Sequence, residues 1–170
     1  HNRSGIEILE EVVGDAKWAR PAGHLADDSI ETFVCKDDAQ NPLCRSNVDV
    51  SGGWYDAGDH GKYVGNGGIS VWTMLNQYER SKYLGNNSAD FGAGKLSLPA
   101  TEMANNLPDI LDEAKWNIEF MLKMRIPAGE PLAGMVYHKM HDDGWTGLGL
   151  APHEAEEIRD RYIHAPTTAA

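Results

Sequence analysis

No apolar run in this sequence approaches the roughly 18 residues that a membrane-spanning helix needs, so nothing in it reads as a span. Positive charge is also scarce. Fifteen Lys and Arg stand against 26 Asp and Glu, a formal net charge of -11, and such a field repels a phosphate backbone and argues against nucleic acid as a partner. Cysteine is nearly absent, with Cys35 and Cys44 alone, on either side of a polar loop that contains Pro42. The even count favours a local disulfide and a secreted or periplasmic protein over two unlinked thiols. There is no internal repeat, low-complexity tract or linker-like stretch. No signal peptide opens the chain, which starts His1-Asn2-Arg3-Ser4-Gly5; the expectation is a removed leader or a beginning inside a longer protein.

What is present is ordinary for a globular domain, with 41% hydrophobic and 24% charged residues over 170 positions, a length for one domain. Gly5 to Val13, with Ile6, Leu9 and Val13 in helical register, reads as the end of a helix. From Gly14 to Gly53 no period persists, and a long loop with one short strand at Val48–Val50 is expected. Ile69 to Tyr83 reads as a helix carrying Trp72, Leu75 and Tyr78, stopped at Gly85 before the turn-forming Asn86-Asn87-Ser88. The clearest helix is Pro108 to Met124, where Leu107, Leu111, Ala114, Ile118 and Met121 recur on one face. Asp109, Asp112 and Glu113 suit its N-terminal end and Lys123 its C-terminal end. Ala128 to His153 reads as a second long loop. Helices joined by such loops predict an all-α fold, and helices this amphipathic need more partners than the chain holds.

The chemistry concentrates in Gly52–Gly61, which reads Gly-Gly-Trp-Tyr-Asp-Ala-Gly-Asp-His-Gly. Glycines permit sharp turns and close backbone approach, so the loop can hold Asp56 and Asp59 toward one side. Two carboxylates so placed can grip a water and take its proton. Trp54 and Tyr55 offer flat faces for sugar rings, and His60 a polar group at the rim. Read on spacing alone, a capped turn, a divalent-metal loop and a catalytic pair all remain open, although the ligand alternation of an EF-hand is missing. As a glycosidase pair the two aspartates would not suffice. Inverting enzymes hold acid and base roughly 6.5–9.5 Å apart across the scissile bond, so the proton donor must lie elsewhere.

Several further motifs stand in order around this loop. They are Asn2-Arg3-Ser4-Gly5, Trp18-Ala19-Arg20-Pro21-Ala22-Gly23-His24 and Asp49-Val50-Ser51-Gly52-Gly53-Trp54-Tyr55-Asp56-Ala57-Gly58-Asp59 continued by Gly61-Lys62-Tyr63-Val64. Asp109-Ile110-Leu111-Asp112-Glu113-Ala114-Lys115-Trp116, Val136-Tyr137-His138-Lys139 and Pro166-Thr167-Thr168-Ala169-Ala170 follow. Together they resemble the family 9 glycoside hydrolases, the inverting cellulases, along the whole chain. The resemblance implies an (α/α)6 barrel with long loops, larger than this chain can build. Residues 1–170 would then be the N-terminal portion of one catalytic domain, truncated at both ends. It implies Asp59 as general base, Asp56 as the carboxylate that helps position the water, and a glutamate acid outside this chain. The implied partners are a β-glucan and the remainder of the domain.

His138 and Trp145 are candidates for glucose subsites, and Trp54 either touches sugar or buttresses the loop. Trp72 and Trp116 are expected to pack in the core or between helices, and His24 to be structural. Some members of the family hold a structural zinc with two cysteines and two histidines; here Arg45 and Tyr55 stand at the histidine positions, so that metal site looks lost. No cofactor is required by the implied chemistry, and calcium remains open for the complete domain. The expected activity is that of an endo-β-1,4-glucanase. The rivals are an exo-acting glucosidase or glucosaminidase of the same family, and a non-catalytic glycan- or calcium-binding module. Half a ring of helices would also expose Leu111, Ala114 and Ile118, so the isolated chain is expected not to fold.

Overall fold

The computed structural model describes residues 3–85, 92–147, 149–156 and 160–167. Its two long helices are α3 (Val64–Tyr83) and α5 (Asp109–Lys123), which pack on each other. Helix α5 matches the sequence expectation, with Pro108 at the N-cap, Asp109 and Asp112 in the first turn and Lys123 in the last. Its buried face is rotated from the expected stripe. Ile110, Ala114, Asn117 and Phe120 are buried, while Leu107 is exposed and Leu111, Ile118 and Met121 are half-buried. The large apolar side chains left most open on the two helices are Ile69, Trp72, Tyr83 and Leu122. Trp72, expected to pack in the core or between helices, instead lies 61% exposed.

Helix α3 begins five residues before the expected Ile69, because Gly65, Gly67 and Gly68 hide its first turns from a propensity reading. Gly67 is there for contact. A Cβ at that position would stand 2.5 Å from Asn117 Nδ2 on α5, so glycine sets how closely the two helices approach. Gly85 ends α3 with φ +65°, as expected of a C-terminal glycine. The Asn86-Asn87-Ser88 turn lies outside the described residues, as do Asn2 and Thr168–Ala170.

The all-α expectation needs correcting. Strands β1 (Glu31–Thr32), β2 (Lys62–Tyr63), β3 (Tyr137–Asp142) and β4 (Arg161–Pro166) form a four-stranded sheet in the order β1-β4-β3-β2. β1 is parallel to β4, and the other neighbours are antiparallel, with Met140 opposite both Lys62 and Ile163. β3 lies inside the expected second loop, which also gives way to α6 (Pro152–Glu156). Between Gly5 and Val13 only α1 (Glu10–Val13) is helical, and Ile8 pairs instead with Arg20. The first long loop contains α2 (Val34–Asp37) as well as β1; within the expected strand at Val48–Val50 only Val48 pairs, as an isolated bridge to Ile30. A short α4 (Ala100–Met103) precedes α5.

Ile30, Val48, Val50, Val64, Phe120, Met124, Ile126, Tyr137, Met140 and Ile163 form the core between sheet and helices. Beside it runs a buried ionic chain. Lys62 Nζ is fully buried and donates to Val50 O at 2.6 Å and Gly52 O at 2.9 Å, and pairs with Asp27 at 2.8 Å. Arg161 Nε donates to Asp27 at 3.0 Å, and its Nη atoms reach Asp142 and His60 O. Burial pushes Lys62 down to about 8, with Arg161 lowering it further and Asp27 opposing. Cys35 and Cys44 form the expected disulfide.

His24, expected to be structural, is buried with Nδ1 2.7 Å from Tyr55 OH. Burial, with Arg161 nearby, pushes its ring from 6.5 down to about 2. Above pH 6.5 the ring is neutral whether folded or unfolded. Below it the unfolded chain binds a proton that the folded ring refuses, so stability falls with pH by up to ~1.4 kcal/mol per unit for this group. His24→Asn tolerates the left-handed backbone at φ 59° and removes the titration. Denaturant unfolding of the complete protein between pH 7 and pH 4 should show a shallower loss for His24→Asn than for wild type. Parallel curves would contradict the assignment.

Candidate active site

The loop that carries the two aspartates is fastened at both ends. Gly52 and Gly53 adopt φ +78° and +76°, and a Cβ on Gly53 would stand 2.6 Å from the Phe120 ring. Gly53 O accepts from Trp116 Nε1 at 3.0 Å and from Ser4 N at 2.9 Å. Trp54 N donates to Asn117 Oδ1 at 3.0 Å, and its Nε1 to Glu113 Oε1 at 2.6 Å. Arg3 completes this anchor. Fully buried, it pairs with Glu113 and Glu102 and lies 4.7 Å over the Trp116 ring. Trp116 thus packs half-buried against Arg3 and the Gly52-Gly53 turn rather than between helices. At the far end Asp56 N donates to Gly61 O at 2.8 Å, Arg161 holds His60 O, and Lys62 ties the strand back to Val50 and Gly52.

Two expectations inside the loop fail for one reason, which is inward orientation. Tyr55 is 5% exposed, its hydroxyl held by His24 and by Gly23 O at 3.3 Å, so it offers no face to a sugar. His60 is likewise buried rather than at the rim. The aspartates differ from each other. Asp56 is exposed and accepts from Asn66 Nδ2 at 2.9 Å. Asp59 has a side chain only 10% exposed, with Oδ2 3.3 Å from both Tyr63 OH and His141 Nε2, and Oδ1 3.4 Å from Gly61 N. Burial, then the charge of Asp59 and its hydrogen bond, push the Tyr63 phenol up to about 12, so the phenol stays protonated and donates.

Tyr63 links the pair. It bonds Asp59 and also lines a cleft of about 430 Å³ with Asp56, Trp54, Asn66 and Glu113. Of the aromatic candidates, Trp54 lies in this cleft. His138 stands edge-on to Tyr63 with centroids 6.3 Å apart, and Trp145, 72% exposed, stands edge-on to His141 at 5.2 Å. Asp56, Asp59, His138, Trp145 and Trp54 are therefore gathered around Tyr63 and His141. The two residues at the centre were not singled out from sequence. Tyr63, four positions beyond Asp59, carried a local signal; His141 arrives only through the pairing of β2 with β3.

This loop and its surroundings coincide with a known family. The Glycosyl hydrolase family 9 model matches residues 1–170. The chain belongs to that family. It is 47% identical to cellulose 1,4-beta-cellobiosidase of Acetivibrio thermocellus over 180 aligned positions, and 48% identical to Endoglucanase C of Cellulomonas fimi over 174. Those alignments cover 100% and 99% of this chain but only 20% and 15% of the relatives' own lengths. The solved structure of Bacteroides ovatus GH9 superposes with a TM-score of 0.76 at 30% identity, covering 99% of this chain and 27% of that one.

The zinc held by some family 9 members does not fit here. Both cysteine sulfurs are spent in the disulfide. Arg45 Nη1 donates to Tyr137 OH at 3.3 Å, and Tyr55 faces His24. A guanidinium and a protonated phenol are poor zinc ligands. His24, His60 and Asp142 do bring ligand atoms within 4.8 Å of one another, but the Asp142 carboxylate already accepts from Arg161 and Thr146, and that guanidinium repels a second cation.

Gly61 gives the site a sharp test. A Cβ there would stand 2.7 Å from the Tyr63 ring and 3.0 Å from His141 Cδ2, so either ring must move off Asp59. For the hydrolase proposed below, Gly61→Ala in the complete protein is expected to lower turnover by about 10–100-fold, the scale of a 1 Å misplacement, with a thermal midpoint close to wild type. Unchanged turnover would show that neither contact matters.

Proposed function

We propose that the complete protein hydrolyses β-1,4-glucosidic bonds in cellulose or a related β-glucan, as an endoglucanase acting by single displacement with inversion. Asp59 is the general base and Asp56 the carboxylate that orients the attacking water. Water loses a proton to Asp59 as its oxygen bonds to the anomeric carbon. The departing glycosidic oxygen takes a proton from an acid outside these 170 residues. The observation that carries this reading is the setting of Asp59, a nearly buried carboxylate that accepts from a phenol held protonated. Such a carboxylate keeps a fixed direction and a poor hydration shell, which suits a base. Trp54 lines the cleft with Asp56, while His138 and Trp145 stand against Tyr63 and His141; flat faces of this kind suit a glucan chain.

The same reading makes residues 1–170 the N-terminal part of one catalytic domain with an (α/α)6 barrel. Supporting it, Ile69, Trp72, Tyr83 and Leu122 stand uncovered on α3 and α5, faces that further helices would bury. The chain by itself then neither folds stably nor turns over. The reaction draws on no cofactor, and a calcium site would belong to the complete domain. The Cys35–Cys44 disulfide favours a secreted or periplasmic setting. An exo-acting enzyme is the second reading, favoured by the relative named as a cellobiosidase.

Asp59→Ala in the complete enzyme should lower kcat by about 10²–10⁴-fold while cello-oligosaccharide affinity by calorimetry stays within a few-fold. Hydrolysis near the wild-type rate would remove Asp59 from the mechanism.

A further inference from the structure

The His141 ring, like Tyr63, touches the carboxylate of Asp59, and the placement of its Nδ1 proton can be read from its partner. Nδ1 lies 2.6 Å from the main-chain oxygen of Asp142. A carbonyl oxygen has no hydrogen to give, so Nδ1 carries the proton and donates. In its neutral form a ring so held presents a bare lone pair at Nε2. That atom is buried, makes no hydrogen bond among the described residues, and stands 3.3 Å from Asp59 Oδ2. A carboxylate oxygen and a bare imidazole nitrogen are both acceptors. They form a hydrogen bond only when a proton lies between them, and a general base acquires such a proton during each turnover.

The ring is also kept from turning away. The side chain of Asp142, whose carbonyl fixes the tautomer, is held by Arg161 and Thr146. Thr146 Oγ1, whose single hydrogen goes to Asp142, also lies 3.3 Å from Asp59 O, so one side chain touches both members of the contact. Trp145 and His164 stand edge-on to the ring at 5.2 Å and 6.3 Å. The pairing of Lys62 with Met140 places His141 beside the loop.

We propose that His141 is a positioning residue for the base, whose Nε2 accepts the hydrogen bond from the Asp59 carboxyl group once that group has taken the proton of the attacking water. This rests on the reading of Asp59 as general base. Tyr63 donates to the carboxylate while it is charged, and His141 accepts from it once it is neutral, so the two neighbours serve opposite halves of the cycle. In the step itself the water O–H bond breaks and its oxygen bonds to the anomeric carbon. The glycosidic C–O bond breaks with the proton of the distant acid. The water's proton stays on Asp59, shared with Nε2, until it passes to solvent and resets the site.

The test uses the complete enzyme with His141→Phe, which keeps a ring against Trp145 and removes the acceptor, alone and combined with Asp59→Ala. His141→Phe should lower kcat by about 10–100-fold with KM within about twofold. The same loss should appear on cellobiosyl fluoride, whose leaving group needs little acid assistance. In the Asp59→Ala background His141→Phe should cost nothing more, because residues that act as a unit are not additive. His141→Gln, with an amide oxygen able to accept near the same place, should recover part of kcat, and it reads the same cycle if the Phe variant does not fold. Wild-type kcat, a loss confined to KM, a loss absent on the fluoride, or a full further loss on top of Asp59→Ala overturns the role of His141. An active Asp59→Ala single variant instead overturns the assignment of the base.

Discussion

The structure hangs on a buried chain of four charges, Lys62, Asp27, Arg161 and Asp142. Burying ions in this way is a weak source of net stability, because desolvation consumes most of the Coulombic gain. What the chain supplies is location. Lys62 follows the aspartate loop directly and gathers Val50, Gly52 and Asp27 around one ammonium group. Arg161, on β4, holds the loop at His60 O and holds β3 at Asp142. The Asp56–Asp59 turn is thereby clamped between two strands and the segment carrying Asp27, and losing one partner would leave the others charged and unpaired in the interior.

A second anchor works from the helix side. Arg3, Glu113, Trp54 and Trp116 lock the Gly52-Gly53 turn to α5. Between the two anchors little freedom is left to Asp59, while Asp56 remains open to the cleft. The asymmetry matches the proposed division of labour, a sheltered base and an exposed partner that can reach water. It also places Tyr63 where both carboxylates act on it. In the proposed mechanism the remaining half of the chemistry, the proton donor, comes from outside these residues; the spacing of the two aspartates required only that it not be one of the pair.

Much of this was legible in the residues, and the limits have physical causes. Helix α5 announced itself through Pro108, its acidic first turn and a 3.6-residue period, and the aspartate loop through its glycines. The sheet did not. β3 and β4 point Asp142, His141 and Arg161 inward, so the apolar alternation that marks a strand is replaced by paired charges, and β1 and β2 are two residues each. Trp72 lies one position off the buried stripe of α3, a distinction that periodicity blurs. Within the site, Asp56 and Asp59 were visible because their relation is local. His141 was not, since 82 positions of sequence are crossed by a strand pairing that only the fold reveals.

The central claim is that Asp59 activates water for a direct displacement, with no glycosyl-enzyme intermediate. Proton NMR of the first product released by the complete enzyme from a cello-oligosaccharide, recorded before mutarotation, reads this directly. Inversion at a β-1,4 bond yields the α-anomer first. A β-anomer as the initial product would mean retention, and the role given to Asp59 would be wrong.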